Sequence, residues 1–315
     1  MFVHQVPPRR WFHHLDFDPQ ELARARWASG TTVSVCLPAR NEEATVGGIA
    51  STIREELCER WGLVDEVVVL DDGSIDGTAT AAARAGARVV SVEDLLPEMG
   101  PGSGKGNAMW VSLHASRGDL VCWVDADIRN FDLRYVTGLL GPLLSDSDVT
   151  LVKGFYRRPA HGSPHGGGRV TELMARPLIS TLFPHLGGIV QPLAGATAGR
   201  RDVLEQIPFL QGWAVEFSLL VDVVDRWGID GVAQVDLGWI EHKNGTLRKL
   251  GPQALAVLTA ALRRAGIDPT EDATMALQRF DADHRPEVEM VEVGERPPIA
   301  TVPAYRITWA ERLLA

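Results

Sequence analysis

Short apolar runs rich in β-branched residues alternate with helix-like segments through the first half of this chain, and this alternation restricts its fold most. Four such runs occur, at residues 32–38, 64–70, 87–92 and 120–124. Helices are expected between them, at residues 42–58, 76–85 and 105–116. This order predicts βαβ units and therefore an α/β fold with a mostly parallel, twisted sheet. Because the strands are almost continuously apolar, helices are expected on both faces of the sheet.

The second half of the chain departs from this alternation. Strands are predicted at residues 150–158 and 231–239, and helices at 170–183, 215–227, 251–265 and 269–280. The stretch from residue 286 resembles a strand or a tail with turns. Near the other end, Asp18 followed by Pro19 is a typical start of a helix. No linker rich in Pro, Ser or Gly separates the halves, so we expect one catalytic domain with a C-terminal elaboration.

Composition excludes several classes of protein. The 315 residues include 31 Lys plus Arg against 41 Asp plus Glu, a net charge of −10, which disfavours broad binding to nucleic acid. Three cysteines without CxxC spacing predict neither a disulfide framework nor a zinc site. No window approaches the roughly 18 apolar residues of a membrane helix, and residues 1–18 have no signal-peptide core. We therefore expect a soluble, cytoplasmic protein without a membrane partner.

Polar residues follow three of the predicted strands, where the strands end. They form the segments Pro38–Glu43, Asp71–Ser74 and Asp125–Asp127. Open α/β sheets bind ligands at the carboxyl ends of their strands, so these segments are expected to share one ligand. In the third segment, one carboxylate is expected to face a ribose and the other a hard divalent cation. An isolated D-x-D is more often a solvated turn, but three polar strand ends at one edge favour a site.

Two glycine-rich segments are candidate anion sites. Gly102–Gly106 precedes a predicted helix and includes Lys105, and amides at a helix N-terminus suit an anion. Its spacing matches neither a P-loop nor a dinucleotide fingerprint, and a flexible linker is an equal alternative. Gly166–Thr171 includes Arg169, whose guanidinium can bind a phosphate or a carboxylate with two hydrogen bonds. A flexible surface loop is the alternative there.

Two further residues are candidates because of their surroundings. Glu216 stands among apolar residues, where a carboxylate needs a partner or a raised pKa. It could bind a sugar hydroxyl or orient an acceptor, and a glutamate on a helix surface is the alternative. His242 follows the strand at 231–239 and could complete a metal shell, although a histidine taken alone is more often structural.

Together, these segments resemble the glucosyl-3-phosphoglycerate synthases and the related mannosyl-3-phosphoglycerate synthases, which are retaining glycosyltransferases of GT-A fold. The resemblance runs from about Trp11 to about Gly266. VDADI and DDGS mark only a GT-A enzyme that uses a nucleotide sugar. More specific are LVKGFYRRP, GGGRVTEL and QPLAG, and the matching segments also include LPARNEEAT, GSGKGNAMW and ARPL.

The resemblance implies a fold, a reaction and partners. The fold is GT-A, a Rossmann-like α/β fold with a mostly parallel sheet and a C-terminal helical elaboration. Residues 31–150 would bind the nucleotide sugar, 151–266 the acceptor, and 267–315 would form a helix and tail. Residues 1–30 would pack on the core or on a partner. Glucose would pass from a nucleoside diphosphate glucose, with UDP-glucose favoured, to the 2-hydroxyl of 3-phosphoglycerate. The enzyme would need Mg²⁺ or Mn²⁺ and form a homodimer.

The same resemblance assigns roles to individual residues. The nucleotide sugar would contact Pro38, Ala39, Asn41, Glu43, Asp72, Lys105, Asp125 and Ala126. The phosphoglycerate would contact Gly168, Arg169, Thr171 and Asn244. The metal ligands would be Asp127 and His242. The residues with catalytic roles would be Asp127, Arg169 and Glu216, with Glu216 approaching the transferred sugar.

The sequence departs from the family pattern at three places. Asp72 stands where some members have serine, Ala196 replaces a glutamate, and KNG follows His242 where others have an arginine-containing RNR. Because no carboxylate has spacing that compels a covalent route, front-face attack with the leaving phosphate as base is the favoured mechanism. A mannosyl enzyme using GDP-mannose, or an enzyme with dual use of GDP-sugars, is the first alternative. A magnesium-dependent nucleotidyltransferase and a non-catalytic nucleotide-sugar sensor are more distant ones.

Overall fold

A computed structural model of the chain describes residues 10–158, 167–241, 245–270 and 272–314. Its strands are β1 Trp11–His13, β2 Val33–Ala39, β3 Glu66–Asp71, β4 Arg88–Ser91, β5 Leu120–Trp123, β6 Leu151–Arg157, β7 Thr197–Arg200, β8 Phe209–Leu210, β9 Val232–Trp239, β10 Thr274–Phe280, β11 Pro286–Glu292 and β12 Glu295–Arg296.

The α-helices are α1 Pro19–Ser29, α2 Val46–Thr52, α3 Thr78–Arg84, α4 Gly104–Ala115, α5 Arg134–Ser145, α6 Arg176–Leu182, α7 Arg201–Leu204, α8 Val215–Trp227, α9 Leu247–Arg264 and α10 Pro303–Leu314. Wider π-helical turns extend α2 at Ile53–Arg60 and precede α6 at Thr171–Ala175. Short 3₁₀ turns lie at His14–Asp16, Val92–Asp94, Pro97–Met99, Pro184–Leu186, Ile229–Gly231 and Ile299–Thr301.

One eight-stranded sheet forms the centre of the described structure. Its strand order is β1-β9-β6-β7-β5-β2-β3-β4, and only β7 runs antiparallel to its two neighbours, β5 and β6. The predicted mostly parallel α/β sheet is therefore confirmed. The strands β2, β3 and β5 are neighbours, so their carboxyl ends meet at one edge. This arrangement brings together the three polar segments that follow these strands.

Apolar layers cover both faces of the sheet, as the continuous apolar strands predict. In β5, Val121 and Trp123 point into the layer with α4, α8 and α9. Leu120 and Cys122 of the same strand point into the other layer, which contains α1, α2 and α5. Because successive strand residues face opposite sides, a strand buried on both faces needs an apolar residue at each position.

The N-terminal segment is tied to this sheet. The strand β1 pairs in parallel with β9 at the sheet edge, and α1 packs against α5. The predicted helix start is confirmed, because the Asp18 side chain accepts hydrogen bonds from the amides of Gln20 and Glu21 at 2.9 and 3.1 Å. The division of the chain into four segments stays a prediction, although strands from three of them join this one sheet.

The helix predicted at residues 269–280 is wrong. Residues Thr274–Phe280 form β10, which pairs antiparallel with β11 as a two-stranded hairpin. Met, Ala, Leu, Gln and Arg are good helix formers, so the local composition favoured a helix. Met275 and Leu277 instead pack on the core while Ala276 and Gln278 face outward, an alternation with the period of a strand. The C-terminal elaboration therefore combines the helices α9 and α10 with a hairpin.

Cys36, Cys58 and Cys122 are free thiols, and Cys36 and Cys122 are buried as predicted. Burial raises the pKa of Cys36 to about 12, which keeps this thiol protonated and unreactive. Among the described helices, none has both the length and the apolar character required to cross a bilayer.

We predict opposite stability effects for alanine at two helical glycines. A Cβ added at Gly106 in α4 would lie 1.9 Å from the carbonyl oxygen of Leu210 in β8, so α4 and β8 would have to separate. Gly106→Ala should lower the free energy of unfolding by about 1–3 kcal/mol, as overpacking does. Gly48→Ala in α2 is the matched control, since nothing lies within 4 Å of its added Cβ. The control should gain up to about 1 kcal/mol from helix propensity. Urea unfolding measures both, and a stable Gly106→Ala protein would contradict the close approach.

Candidate active site

One cavity of about 810 Å³ lies at the carboxyl ends of β2, β3 and β5. The predicted nucleotide-side residues that line it are Pro38, Ala39, Asp72, Lys105, Asp125 and Ala126. The same cavity is lined by the other predicted residues Asp127, Gly168, Arg169, Thr171 and Glu216. Its volume lies in the range of sites for small molecules and cofactors. The two groups of candidates therefore share one space.

Lys105 is the central charged group of this cavity. Its Nζ forms ion pairs with Asp125 and with Glu216, the latter at 2.8 Å. Burial works against the charged form, but the two carboxylates outweigh it and raise the pKa of Lys105. Glu216 is only 6% exposed, and the lysine supplies the partner that its apolar surroundings require. The linker with a solvated lysine is therefore wrong for this segment.

A glycine makes this close arrangement possible. A Cβ at Gly195 would lie 2.3 Å from Lys105 Nζ and 2.5 Å from both carboxylate oxygens of Asp125. A larger residue at this position would push the ion pair apart. Gly195 belongs to the QPLAG segment, so the packing gives that motif a physical role beside the Lys105 cluster.

The amides of the first glycine-rich segment are bonded within the protein. Ser103 N donates to Gln211 Oε1 at 3.1 Å, and Gly104 N donates to Asp72 Oδ2 at 3.1 Å. Gly106 N donates to the Gly212 carbonyl at 3.0 Å. The expectation that exposed amides of this segment bind an anion is wrong for these three groups. They instead fix Lys105 and join the end of β3 to the start of α4.

Asp127 lies in a concentration of negative charge. Burial, followed by the carboxylates of Asp125 and Glu42, raises the pKa of Asp127 to about 6. The loop is held by Thr45, whose hydroxyl donates to the Ala126 carbonyl at 2.6 Å. Like charges in a half-buried pocket favour uptake of a cation. Within the described ranges, no group of three or more His, Cys, Asp or Glu residues converges as a complete metal site.

Two predicted nucleotide contacts bond a neighbouring turn. Asn41, at φ 58°, accepts a hydrogen bond from Ile75 N at 2.9 Å through its Oδ1. Glu43 Oε2 accepts from Gly77 N at 3.0 Å. Their roles as nucleotide contacts stay predictions. Among the described residues, the end of β2 and the segment after it contribute Pro38, Ala39, Arg40 and Glu42 to the cavity lining.

Three neighbouring residues that were predicted to bind the acceptor line the cavity together. Gly168 has φ 76° and its carbonyl accepts from Glu172 N at 3.0 Å, so it turns the chain into the helix. Arg169 Nη2 donates to the carbonyl of Gly245, which holds its guanidinium beside the start of α9. Thr171 is buried at the cavity wall. Gly168, Arg169 and Thr171 are thus placed together as predicted.

His242 and Asn244 lie outside the described residues. The chain just before them is held close to the D-x-D segment. Arg129 N donates to the Glu241 carbonyl at 2.9 Å, and Glu241 N donates to Asn130 Oδ1 at 2.7 Å. These bonds place the end of β9 beside the loop that follows Asp127.

Sequence reasoning missed several residues of the site. Arg158, Trp213 and Gln253 line the cavity, as do residues 289–292 of β11. Arg158 belongs to the LVKGFYRRP segment, and this was the only feature of the sequence that pointed to it as a site residue. The local sequence did not mark residues 289–292 as cavity residues, because their contact with the cavity depends on strand pairing with a distant segment.

Known proteins share this architecture. Residues 34–207 match the family model described as glycosyl transferase family 2. Glucosyl-3-phosphoglycerate synthase of Mycolicibacterium smegmatis is 48% identical over 281 residues, covering 87% of this chain and 91% of that protein. The chain belongs to the glycosyltransferase family 2 group of glucosyl- and mannosyl-3-phosphoglycerate synthases.

Two solved structures of this family align over most of the chain. One is mannosyl-3-phosphoglycerate synthase from Rubrobacter xylanophilus, with TM-score 0.84 and 40% identity over 93% of this chain and 97% of that one. The other is glucosyl-3-phosphoglycerate synthase from Mycobacterium tuberculosis with Mn²⁺, UDP-glucose and phosphoglyceric acid. Its TM-score is 0.82 at 42% identity, over 93% of this chain and 99% of that one. The predicted family and GT-A fold are confirmed, and the protein is a glycosyltransferase.

We predict a pH dependence of stability from a lysine beneath this glycosyltransferase site. Lys153 on β6 is buried, and its Nζ donates to the Ala194 carbonyl at 2.7 Å and to Thr197 Oγ1 at 2.9 Å. Burial lowers its pKa from 10.5 to about 8. Between these values the unfolded chain holds a proton that the folded chain lacks, so this residue makes stability rise with pH.

The rise should amount to about 3 kcal/mol between pH 8 and pH 10.5. Urea unfolding of the wild type and of Lys153→Met at four pH values from 7 to 10 measures it. The difference between the two free energies should grow in favour of the wild type as pH increases. Parallel profiles would show that Lys153 keeps its ordinary pKa.

Proposed function

We propose that this glycosyltransferase moves glucose from UDP-glucose to the 2-hydroxyl of 3-phosphoglycerate, with retention of configuration. The observation that carries the proposal is the shared cavity, which is lined both by Asp125, Asp127 and Lys105 and by Gly168, Arg169 and Thr171. The first group offers carboxylates suited to a nucleotide sugar and its cation, and the second a guanidinium suited to a small anion. The M. tuberculosis relative was solved with these two substrates and Mn²⁺.

A divalent cation fits the residues at the end of β5. The charges around Asp127 make it a suitable oxygen ligand for Mg²⁺ or Mn²⁺, and His242 is proposed as the second ligand. The cation would neutralise charge that develops on the departing diphosphate. Glu241 is bonded to the loop after Asp127, which supports the pairing of these two ligands.

The chain's own residues position the reactants. Arg169 and the neighbouring glycine would hold the acceptor's phosphate, which reduces the entropic cost of bringing its hydroxyl to the sugar. Glu216 and Asp125 are both paired with Lys105, and this pairing makes them poor nucleophiles. We therefore favour front-face attack, in which the acceptor hydroxyl gives its proton to the leaving diphosphate. Asn41, Glu43 and Asn244 are retained as proposed substrate contacts, and a cytoplasmic homodimer is carried over from the resemblance.

Transfer of mannose from GDP-mannose is the second candidate. The R. xylanophilus mannosyl enzyme has the same coverage of this chain and nearly the same identity as the M. tuberculosis glucosyl enzyme. Glucose and mannose differ in the orientation of one hydroxyl group, and a few contacts in the cavity would distinguish them.

The deciding assay offers UDP-glucose, GDP-glucose and GDP-mannose separately with 3-phosphoglycerate and Mg²⁺. We expect UDP release and an α-glucoside, identified by NMR of the product, only when acceptor and metal are both present. Asp127→Asn should lower kcat by about 100-fold or more, because the cation supplies several kcal/mol in the transition state. Asp283→Asn, the same change on the exposed hairpin turn, is the matched control and should behave as wild type.

Two outcomes would contradict this proposal. Full turnover after chelation, or near-wild-type kcat in Asp127→Asn, would contradict the metal role. Product from GDP-mannose in preference to UDP-glucose would replace the glucosyl assignment by the mannosyl one.

A further inference from the structure

Arg158 is a cavity residue held in a fixed position. It directly follows β6 and its Nη2 donates to the Tyr156 hydroxyl at 2.8 Å, with the guanidinium 4.8 Å from the centre of the Tyr156 ring. Tyr156 is itself only 2% exposed. Its amide donates to Gln191 Oε1 at 3.2 Å, and its carbonyl accepts from Gln191 Nε2 at 2.6 Å. The guanidinium is therefore pre-oriented by a buried framework.

One donor of this guanidinium has no acceptor among the described residues. Within the described part of the chain, Nε of Arg158 is buried and makes no hydrogen bond. Buried polar groups are nearly always bonded, and leaving one unsatisfied destabilises the folded state. Arg158 also lines the cavity, so its guanidinium is a fixed and incompletely bonded cation that suits an anionic group of a ligand.

Arg158 lines the cavity together with both groups of predicted site residues. Gly167 N donates to the Arg158 carbonyl at 3.0 Å, which brings this residue beside Gly168 and Arg169. Burial disfavours its charged form, but the Tyr156 hydroxyl and the carboxylates of Asp125 and Glu216 favour it, so the pKa of Arg158 is raised. Arg158 thus adjoins the predicted acceptor residues, and its charge interacts with two carboxylates of the Lys105 cluster.

We propose that Arg158 binds the carboxylate of the acceptor, while Arg169 with Gly168 and Thr171 binds its phosphate. This inference rests on the proposed function, in which the acceptor is a phosphorylated 2-hydroxy acid. In such an acid the carboxylate is attached to the carbon that bears the reacting hydroxyl, and the phosphate lies one carbon further away. Arg158 is held by Tyr156, which is bonded to the same QPLAG segment whose Gly195 lies against the Lys105–Asp125 pair. Arg158 is therefore the guanidinium assigned to the carboxylate.

The assignment predicts a specificity that Arg158 confers. Two guanidinium groups at separate places would read the two anionic ends of the acceptor. An acceptor without a carboxylate would leave the guanidinium of Arg158 without its ligand partner, and such unmet polar groups disfavour a close analogue. Arg158 would thus select phosphorylated hydroxy acids over polyol phosphates.

The test compares three acceptor probes on the full-length protein. They are 3-phosphoglycerate, glycerol 3-phosphate, which lacks the carboxylate, and glycerate, which lacks the phosphate. Calorimetry with UDP and Mg²⁺ present gives each Kd, and turnover with UDP-glucose gives KM and kcat. The variants are Arg158→Met and Arg158→Lys. The matched control is Arg157→Met, because Arg157 directly precedes Arg158 and its side chain is exposed.

Arg158→Met should weaken the binding of 3-phosphoglycerate, with Kd and KM raised by about 10- to 100-fold, as loss of a charged hydrogen bond does. Its Kd for glycerol 3-phosphate and its KM for UDP-glucose should stay within about threefold of wild type, because neither contact uses the carboxylate. Arg158→Lys should recover part of the loss, since it keeps the charge without the planar fork. Arg157→Met should match the wild type.

Equal weakening of 3-phosphoglycerate and glycerol 3-phosphate by Arg158→Met would overturn the assignment, and so would unchanged binding of both. If the methionine variant does not fold, Arg158→Lys carries the same comparison, with its melting temperature as the check on folding. A wild type that binds 3-phosphoglycerate but forms no glucoside would contradict the proposed function alone, because the calorimetric comparison still decides the role of Arg158.

Discussion

The ion pairs of Lys105 with Asp125 and Glu216 are the interaction on which the rest of the site depends. Three parallel strands end at one edge, and their carboxylates meet in a half-buried cavity. Without a cation from the protein, these charges would repel each other and oppose folding. Lys105 pairs with one of them, Asp125, and with Glu216 of α8. Asp127 remains beside an excess of negative charge, which favours a divalent cation.

The surrounding packing serves this arrangement. Gly195 leaves room for the ion pair, and Gly106 lets α4 approach β8 so that Lys105 reaches across the cavity. Asp72 binds the amide of Gly104 and thereby joins β3 to α4. The cations Arg158 and Arg169 line the same cavity and are proposed to bind the anionic acceptor. The charges of the cavity thus fit the proposed reaction between a nucleotide sugar and a small acid.

Local sequence patterns predicted what depends on neighbouring residues. The strand ends, the D-x-D segment and the Asp18 cap follow from apolar runs and capping preferences that act over a few positions. The partners of Lys105 could not be predicted this way, because Glu216 lies 111 positions away in α8. The β10–β11 hairpin was missed because good helix formers occupy a paired strand. Arg158 was missed because the framework that orients it includes Gln191, which bonds Tyr156 from 35 positions away, and because its place at the cavity depends on the fold.

A double-mutant cycle on Lys105 and Glu216 tests the central claim most directly. Lys105→Met should lower the free energy of unfolding by about 3 kcal/mol or more, because it removes the cation that pairs with both Asp125 and Glu216. In the Glu216→Gln background the same substitution should cost at least about 1 kcal/mol less, which is the coupling between the two side chains. Costs that add without coupling would contradict the account, since Lys105 would then not compensate Glu216.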